Sequence, residues 1–197
     1  MKNRIWTMIP YCHRDEGESS GNDLGHAYNR CMQLIPDDDW ACFIDHDVFF
    51  TTKTWFRMIE EAIAQQPDAG MFCARTNRLS KSHSQWQMLG DPTQENVKAL
   101  RVYGGKVERK FGASLRDVTT DKQRRRMCPS SGFLMVISKA TWTLIGGSQH
   151  GNVQVDYTIH RAIEKAGKKI YLIEGLFLYH WFRPDIFPLR EYGKVTF

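Results

Sequence analysis

Apolar positions along the chain recur with two different periods, and the changes between them mark short strands and helices. Ile5 to Ile9 is an apolar segment stopped by Pro10, the pattern of a strand. Tyr11 to Gly21 is polar and contains Gly and Ser, hence a loop. Asn22 or Asp23 can cap a helix whose apolar stripe is Leu24, Ala27, Tyr28, Cys31, Leu34 and Ile35, with Pro36 at its end. Trp40 to Ile44 is a continuous apolar run and predicts a buried strand. A turn containing Thr51, Thr52 and Thr54 leads to a second helix, with Trp55, Met58, Ile59, Ala62 and Ile63 on one face and a stop near Pro67. Ala69 to Ala74 predicts another strand.

Residues 76–130 carry little periodicity, contain Gly104-Gly105, and read as an elaborated, partly mobile region. Phe133 to Ile137 is again a strand, after which Ser138 caps a short helix running to Leu144 before Gly146-Gly147. Val155, Ile159, Ala162, Ile163 and Ala166 form a third helical stripe, with Gly167 where a helix end favours glycine. Lys169 to Ile173 and Leu176 to Tyr179 predict two short strands. The alternation of strands and helices predicts an α/β sheet. In such sheets the ligand lies beyond the carboxyl ends of the strands, where Pro10-Tyr11 and Asp45-His46-Asp47 both fall.

The length of 197 residues suits one domain spanning the whole chain. No apolar stretch approaches the roughly 20 residues needed to cross a bilayer. The N-terminal apolar segment is too short for a signal peptide and lacks a small-residue cleavage site, so the expected location is cytoplasmic. Five cysteines (Cys12, Cys31, Cys42, Cys73 and Cys128), widely spaced and without Cys-x-x-Cys, give neither a disulfide framework nor a zinc site. Cys42 and Cys73 lie in apolar runs and read as small core residues. The formal charge is +5, and Arg124-Arg125-Arg126 with Arg109, Lys110 and Lys122 makes the middle of the chain basic. Such a run serves as a solvated loop, as a contact for substrate phosphates or an anionic acceptor, or as a nucleic-acid contact, and no nucleic-acid-binding motif accompanies it.

The chemistry concentrates where the apolar run Trp40 to Ile44 ends in Asp45 and Asp47. Burying a carboxylate costs several kcal/mol unless a cation or hydrogen bonds compensate. Hard divalent ions such as Mn²⁺ and Mg²⁺ prefer carboxylate oxygen and are often shared with substrate phosphates. An Asp-x-Asp also suits a strand that simply ends in a polar turn. Asp156 begins a helix, where an acid favours the macrodipole or serves as a general base. His180 follows the apolar strand Leu176 to Tyr179.

Taken in order, these blocks resemble a glycosyltransferase of the GT-A fold, family 2 type, over roughly half the chain. Ile5-Trp6-Thr7-Met8-Ile9-Pro10-Tyr11 is similar to the family's first strand, which begins the nucleotide pocket. Gly25-His26-Ala27-Tyr28-Asn29 followed by the strand ending Asp45-His46-Asp47 resembles its Gly-x-Ala-x-Asn helix and Asp-x-Asp strand. Ser131-Gly132-Phe133-Leu134 is similar to the turn and strand of the acceptor side, and Val155-Asp156 stands where the family has Glu-Asp. The resemblance implies a mixed sheet flanked by helices, with Asp45, Asp47 and His180 as metal ligands. Asp45 would also face the ribose, and Pro10, Tyr11 and Arg14 would contact the nucleotide. Asp156 would be the base of an inverting, Mn²⁺- or Mg²⁺-dependent transfer from a nucleotide-diphosphate sugar, UDP-linked by preference, to an acceptor hydroxyl. Trp181, Phe182 and Arg183 would line the sugar or acceptor cleft, or pack at the C-terminus.

The chain departs from the family pattern in its shortened N-terminal half. Only about twelve residues separate the Pro-Tyr loop from the Gly-x-Ala-x-Asn helix, so the family's base-recognising Asp is missing or replaced, with Arg14, Asp15 or Asp23 as substitutes. Val155 replaces the family's Glu. Two other readings stand beside this one: a sugar nucleotidylyltransferase, for which Tyr11 to Gly21 lacks the Gly-rich Arg-containing loop, and a non-catalytic nucleotide-sugar-binding module.

Overall fold

The computed structural model describes residues 4–10, 23–77, 79, 84–85, 96–120, 130–149, 151 and 154–181. It is a mixed α/β fold. In chain order its elements are β1 (Ile5–Met8), α1 (Leu24–Gln33), β2 (Trp40–Ile44), β3 (Val48–Phe50), α2 (Trp55–Gln65), β4 (Met71–Thr76) and α3 (Val97–Phe111). They continue with β5 (Leu115–Asp117), β6 (Leu134–Ser138), α4 (Lys139–Leu144), α5 (Val155–Lys165) and β7 (Ile170–His180).

The strands form one seven-stranded sheet in the order β1-β2-β6-β4-β7-β3, with β5 also paired to β7. The pairs β1–β2 and β4–β7 are parallel, and β6 runs antiparallel between β2 and β4. The central strands are buried on both faces, so they read in sequence as continuous apolar runs. Period-two alternation sends Ala41, Phe43, Cys73, Met135 and Ile137 toward α1, α4 and α5, where Tyr28, Met32, Trp142, Ile159 and Ile163 meet them. The intervening residues Trp40, Cys42, Phe72, Leu134 and Val136 face Met58, Ile59 and Ala62 of α2. Cys42 and Cys73 are core residues, as their sequence context predicts; burial pushes both thiols up to about 12.

Side-chain caps set the starts of α1 and α4. The Asp23 side chain accepts from the His26 amide at 2.7 Å and begins α1, and the Ser138 hydroxyl accepts from the Thr141 amide at 3.0 Å and begins α4. Gly167 closes α5 with φ of 72°, a left-handed conformation that glycine adopts without strain.

The short strands β3 and β5 are elements the apolar pattern does not predict, and two longer elements also differ from the sequence-based expectation. The stretch read as non-periodic contains α3, a 15-residue helix capped by Asn96, whose side chain accepts from the amides of Lys98 and Ala99. Its buried stripe is Leu100, Gly104 and Val107, so a glycine stands where the pattern expects a large apolar residue. The two short C-terminal strands are one, β7. Its pairing with β4 shifts from Cys73–Leu172 to Arg75–Phe177, so β7 carries extra residues opposite the β4 step. Glu174 sits in that irregularity: its carbonyl accepts from Arg75 Nε at 2.8 Å, and its carboxylate pairs with Arg75 and Arg116. The pair Glu174-Gly175 reads locally as a strand break, whereas Arg75 and Arg116 satisfy it as a bulge.

Helix α3 lies against β7 and the segment after β3 because Gly104 permits it. A Cβ there would stand 2.0 Å from Thr51 Oγ1 and 2.5 Å from Thr51 Cβ. Gly105 faces only the flexible end of Arg109, whose Nη1 would be 3.6 Å away. Alanine favours a helix interior over glycine by about 1 kcal/mol, but overpacking costs about 1–3 kcal/mol, so the two neighbours should respond with opposite signs. Gly104→Ala is expected to lower the urea midpoint and Gly105→Ala to raise it. Equal stabilisation by both would mean that α3 is not seated on Thr51.

Candidate metal and acid–base site

The site forms where β2 ends beside the start of β6. These strands are antiparallel neighbours, with Ile44 opposite Leu134, so the residues after β2 meet the turn before β6. The Asp45 amide donates to the Phe133 carbonyl at 3.1 Å. The chain then crosses to the far edge of the sheet, where Val48 of β3 pairs with His180 of β7, and the Trp181 amide donates to the Asp47 carbonyl at 2.9 Å. His180 is also held from β4: Asn77 Oδ1 accepts from its amide at 2.9 Å, and Asn77 Nδ2 donates to its carbonyl at 3.1 Å. Asn77 thereby continues the β4–β7 ladder through its side chain.

This backbone arrangement brings together Asp45, Asp47 and His180, whose ligand atoms all lie within 4.8 Å of one another. His180 Nε2 stands 3.1 Å from Asp47 Oδ1. A hydrogen bond has that length, and so do neighbouring ligands about one ion with metal–ligand bonds of about 2.1 Å. Both side chains are nearly closed to solvent, at 6% and 12% exposure for Asp47 and His180. Burial is the main reason the Asp45 carboxyl is raised above the usual carboxylate range; the nearby carboxylates of Asp47 and Asp156 add to this, and His180 and His46 oppose it. Two oxygen donors and an imidazole, partly desolvated, fit a hard or borderline divalent cation.

Asp156 joins the same turn from the other side. It lies in the first turn of α5, where its Oδ1 accepts from the Tyr157 amide at 2.8 Å and its Oδ2 accepts from the Gly132 amide at 3.0 Å. A Cβ on Gly132 would stand 3.1 Å from the Asp156 Cβ, tighter than an ordinary contact, so a larger residue there would push the start of α5 back by a few tenths of an ångström. Burial raises the Asp156 carboxyl above its ordinary value, while the amides of Tyr157 and Gly132 pull it back. Gln154 occupies the N-cap position with φ of 63°, a left-handed conformation seldom adopted by a non-glycine residue, and its side chain makes no capping hydrogen bond. Phe133 completes the link: its ring centroid lies 5.8 Å from that of His180.

The remaining expected residues divide cleanly. Met8 pairs with Phe43, so Pro10 lies at the sheet end that bears Asp45. Tyr11, Arg14, Asp15, Phe182, Arg183 and the basic run Arg124-Arg125-Arg126 lie outside the described residues. Trp181 is described and half exposed. Asp23 is occupied structurally, accepting from the His26 and Gly151 amides. The block Gly25-x-Ala27-x-Asn29 also braces the fold. A Cβ on Gly25 would fall 1.8 Å from the Gln149 carbonyl oxygen, and Asn29 bonds the Ser148 amide and carbonyl.

Sequence reasoning missed the supports of the turn. Ser130 donates from its hydroxyl to His160, Ser131 is gripped through its amide by Gln85 Oε1 at 2.7 Å, and Gly132 is held by Asp156. His160 follows Asp156 by one helical turn, a spacing that could have paired them. Its Nε2 faces the Thr119 carbonyl oxygen at 3.1 Å and so carries the proton, leaving Nδ1 to accept from Ser130 at 2.8 Å. No protein-family model and no curated protein matches the chain.

Two predictions follow from this geometry. His180→Ala and Asp47→Ala should each weaken Mn²⁺ binding, read by isothermal titration calorimetry, by about tenfold or more, because loss of even an outer partner commonly costs 10–100-fold. Unchanged affinity in either variant would remove that residue from the ligand set. The second concerns His160, whose pKa is lowered chiefly by burial, with Arg161 in the same direction and the Thr119 hydrogen bond and Glu164 opposed. The neutral ring belongs to the folded state, so below about pH 6.5 the unfolded chain takes up the proton first and stability is lost until the lower folded value is reached. His160→Gln keeps an acceptor and a donor without titrating, and should flatten that loss in urea unfolding between about pH 7 and 5.

Proposed function

We propose that the chain is a metal-dependent glycosyltransferase of GT-A type that moves a sugar from a nucleotide-diphosphate donor, UDP-linked by preference, to an acceptor hydroxyl with inversion. The observation that carries this reading is the meeting of Asp45, Asp47 and His180, the last 133 residues beyond Asp47 in sequence, with Asp156 on the adjoining Gly132–Phe133 turn. Fold class supports it at the coarser level of a mixed α/β sheet with the acids at strand ends.

Each residue then has a task set by its surroundings. Asp45, Asp47 and His180 would hold Mn²⁺ or Mg²⁺, which supplies compensating charge to the departing nucleoside diphosphate. Asp47 and His180 are pre-positioned by backbone bonds from Trp181 and Asn77, so little ordering remains to be done on binding. Asp156 is not one of the three grouped ligands; its carboxyl is raised by burial, and it would accept the proton of the attacking hydroxyl. Its two amide donors fix the carboxylate plane and leave further lone pairs for that proton.

The test separates a base from a structural acid. Asp156→Asn keeps one oxygen for an amide and turns an NH₂ toward the other, so a fall in stability of about 1–3 kcal/mol is expected from the amide left unpaired. Mn²⁺-dependent UDP affinity should persist, while sugar transfer, measured below the variant's melting temperature, falls by about 10²- to 10⁴-fold. Near-normal turnover would return Asp156 to the turn it braces. Asp47→Ala should abolish Mn²⁺-dependent UDP binding with the fold intact, and release of UDP from UDP-sugars in water separates an enzyme from a binding module.

A further inference from the structure

We propose that the outer face of α3 is a docking surface for an anionic lipid bilayer. The helix carries Lys98, Arg101, Lys106, Arg109 and Lys110, all exposed, and among the described residues none of the five is ion paired. Its one acid, Glu108, is engaged by the Thr54 hydroxyl beside α2. At 3.6 residues per turn, Lys98, Arg101, Val102, Gly105 and Arg109 fall on one outward stripe with Lys106 at its edge. A solvated helix face ordinarily mixes both signs, and this one does not.

The helix's own electrostatics do not account for the pattern. Arg109 and Lys110 in the last turn suit the macrodipole, but Lys98 stands in the first turn, which contains no acid and where a positive charge is unfavourable. An external negative surface supplies what the fold does not. Valine side chains stand exposed among the cations, Val102 at 59% and Val97 at 47%. Interleaved cations and aliphatics suit the boundary of headgroups and acyl chains. The stripe is convex and bears no aromatic side chain on which bases could stack, which disfavours a nucleic acid.

The surface also has a defined relation to the site. Leu100 packs on Tyr179, with Phe49 and Tyr103 against them, and the Arg101 guanidinium lies 5.7 Å from the Phe49 ring centre. Phe49 is two residues from Asp47 and Tyr179 is next to His180. A bilayer on this face would therefore lie beside the strand ends that carry the acids. The docking surface goes beyond the transferase reading and does not depend on it, because its test reads no turnover.

The full chain is co-sedimented with phosphatidylcholine vesicles and with vesicles in which phosphatidylglycerol replaces a third of the lipid, at low and high NaCl. Binding is expected only to the second and should weaken with salt. Replacing Lys98, Arg101, Lys106 and Arg109 together by Gln should reduce it by about tenfold or more, given the contribution of each basic residue near an anionic leaflet. Arg57→Gln on α2 should leave binding unchanged, and Val102→Ser should weaken it with no change in charge. Melting temperatures of the variants confirm that they are folded. No binding to the anionic vesicles overturns the proposal, as does binding that survives the fourfold change. Preference for heparin or single-stranded DNA over vesicles through the same residues also overturns it, in favour of an acidic polymer.

Discussion

The arrangement of the candidate site depends on one two-residue constraint, the Gly132–Phe133 turn at the head of β6. The Gly132 amide is taken by Asp156, the Phe133 carbonyl takes the Asp45 amide, and the Phe133 ring packs on His180. Residues from three distant parts of the chain thus refer their positions to the same few atoms. The absence of a side chain at Gly132 lets α5 come close enough for its acid to reach the backbone. Upstream, Ser130 and Ser131 are tied to His160 and Gln85, both fully buried, so the turn has little freedom to drift. A site that must hold acids within a few tenths of an ångström gains from being built on such a turn, where packing fixes each supporting rotamer.

The second constraint is the irregularity in β7. Before it, Ile170 and Leu172 face the α1/α5 side of the sheet; after it, Leu176 and Leu178 face the α2 side. Strict alternation would keep all four even-numbered residues on one face. The step from Cys73–Leu172 to Arg75–Phe177 sets two β4 intervals against five on β7, an odd excess that reverses the phase. His180 shares the parity of Leu176 and Leu178, and it meets Phe133 on the α2 side. Glu174, satisfied by Arg75, Arg116 and Ser114, therefore helps decide on which face a histidine six residues later appears.

What the sequence made legible follows from how local each cause is. The strands β2, β4 and β6 were readable because burial on both faces leaves an unbroken apolar run, and α1, α4 and α5 because their caps and stripes are contiguous. Helix α3 was not, since its buried stripe passes through Gly104, whose role is a close approach to Thr51 far away in sequence. The single strand β7 was divided at Glu174-Gly175 because the arginines that satisfy the bulge come from other strands. Asp45 and Asp47 stood out as acids ending a core run, and the structure brings them to His180. The parts played by Gly132, Asn77 and His160 rest on long-range hydrogen bonds, which no period or spacing encodes.

The treatment of acids elsewhere in the molecule sharpens what is unusual here. Glu174 is neutralised by Arg75 and Arg116, Asp39 by Arg4, and Asp117 by Lys169, each a permanently charged partner at neutral pH. Among the described residues, the charges acting on Asp45 are those of two histidines and two carboxylates. A fixed guanidinium lowers the cost of burying a carboxylate, as Arg75 does for Glu174. It also occupies the oxygens and repels an arriving cation. Histidine can instead give up its proton and turn a neutral nitrogen toward a metal. A divalent ion held by this cluster would offset the burial that raises the Asp45 carboxyl, and its binding would appear as stability of the holo form.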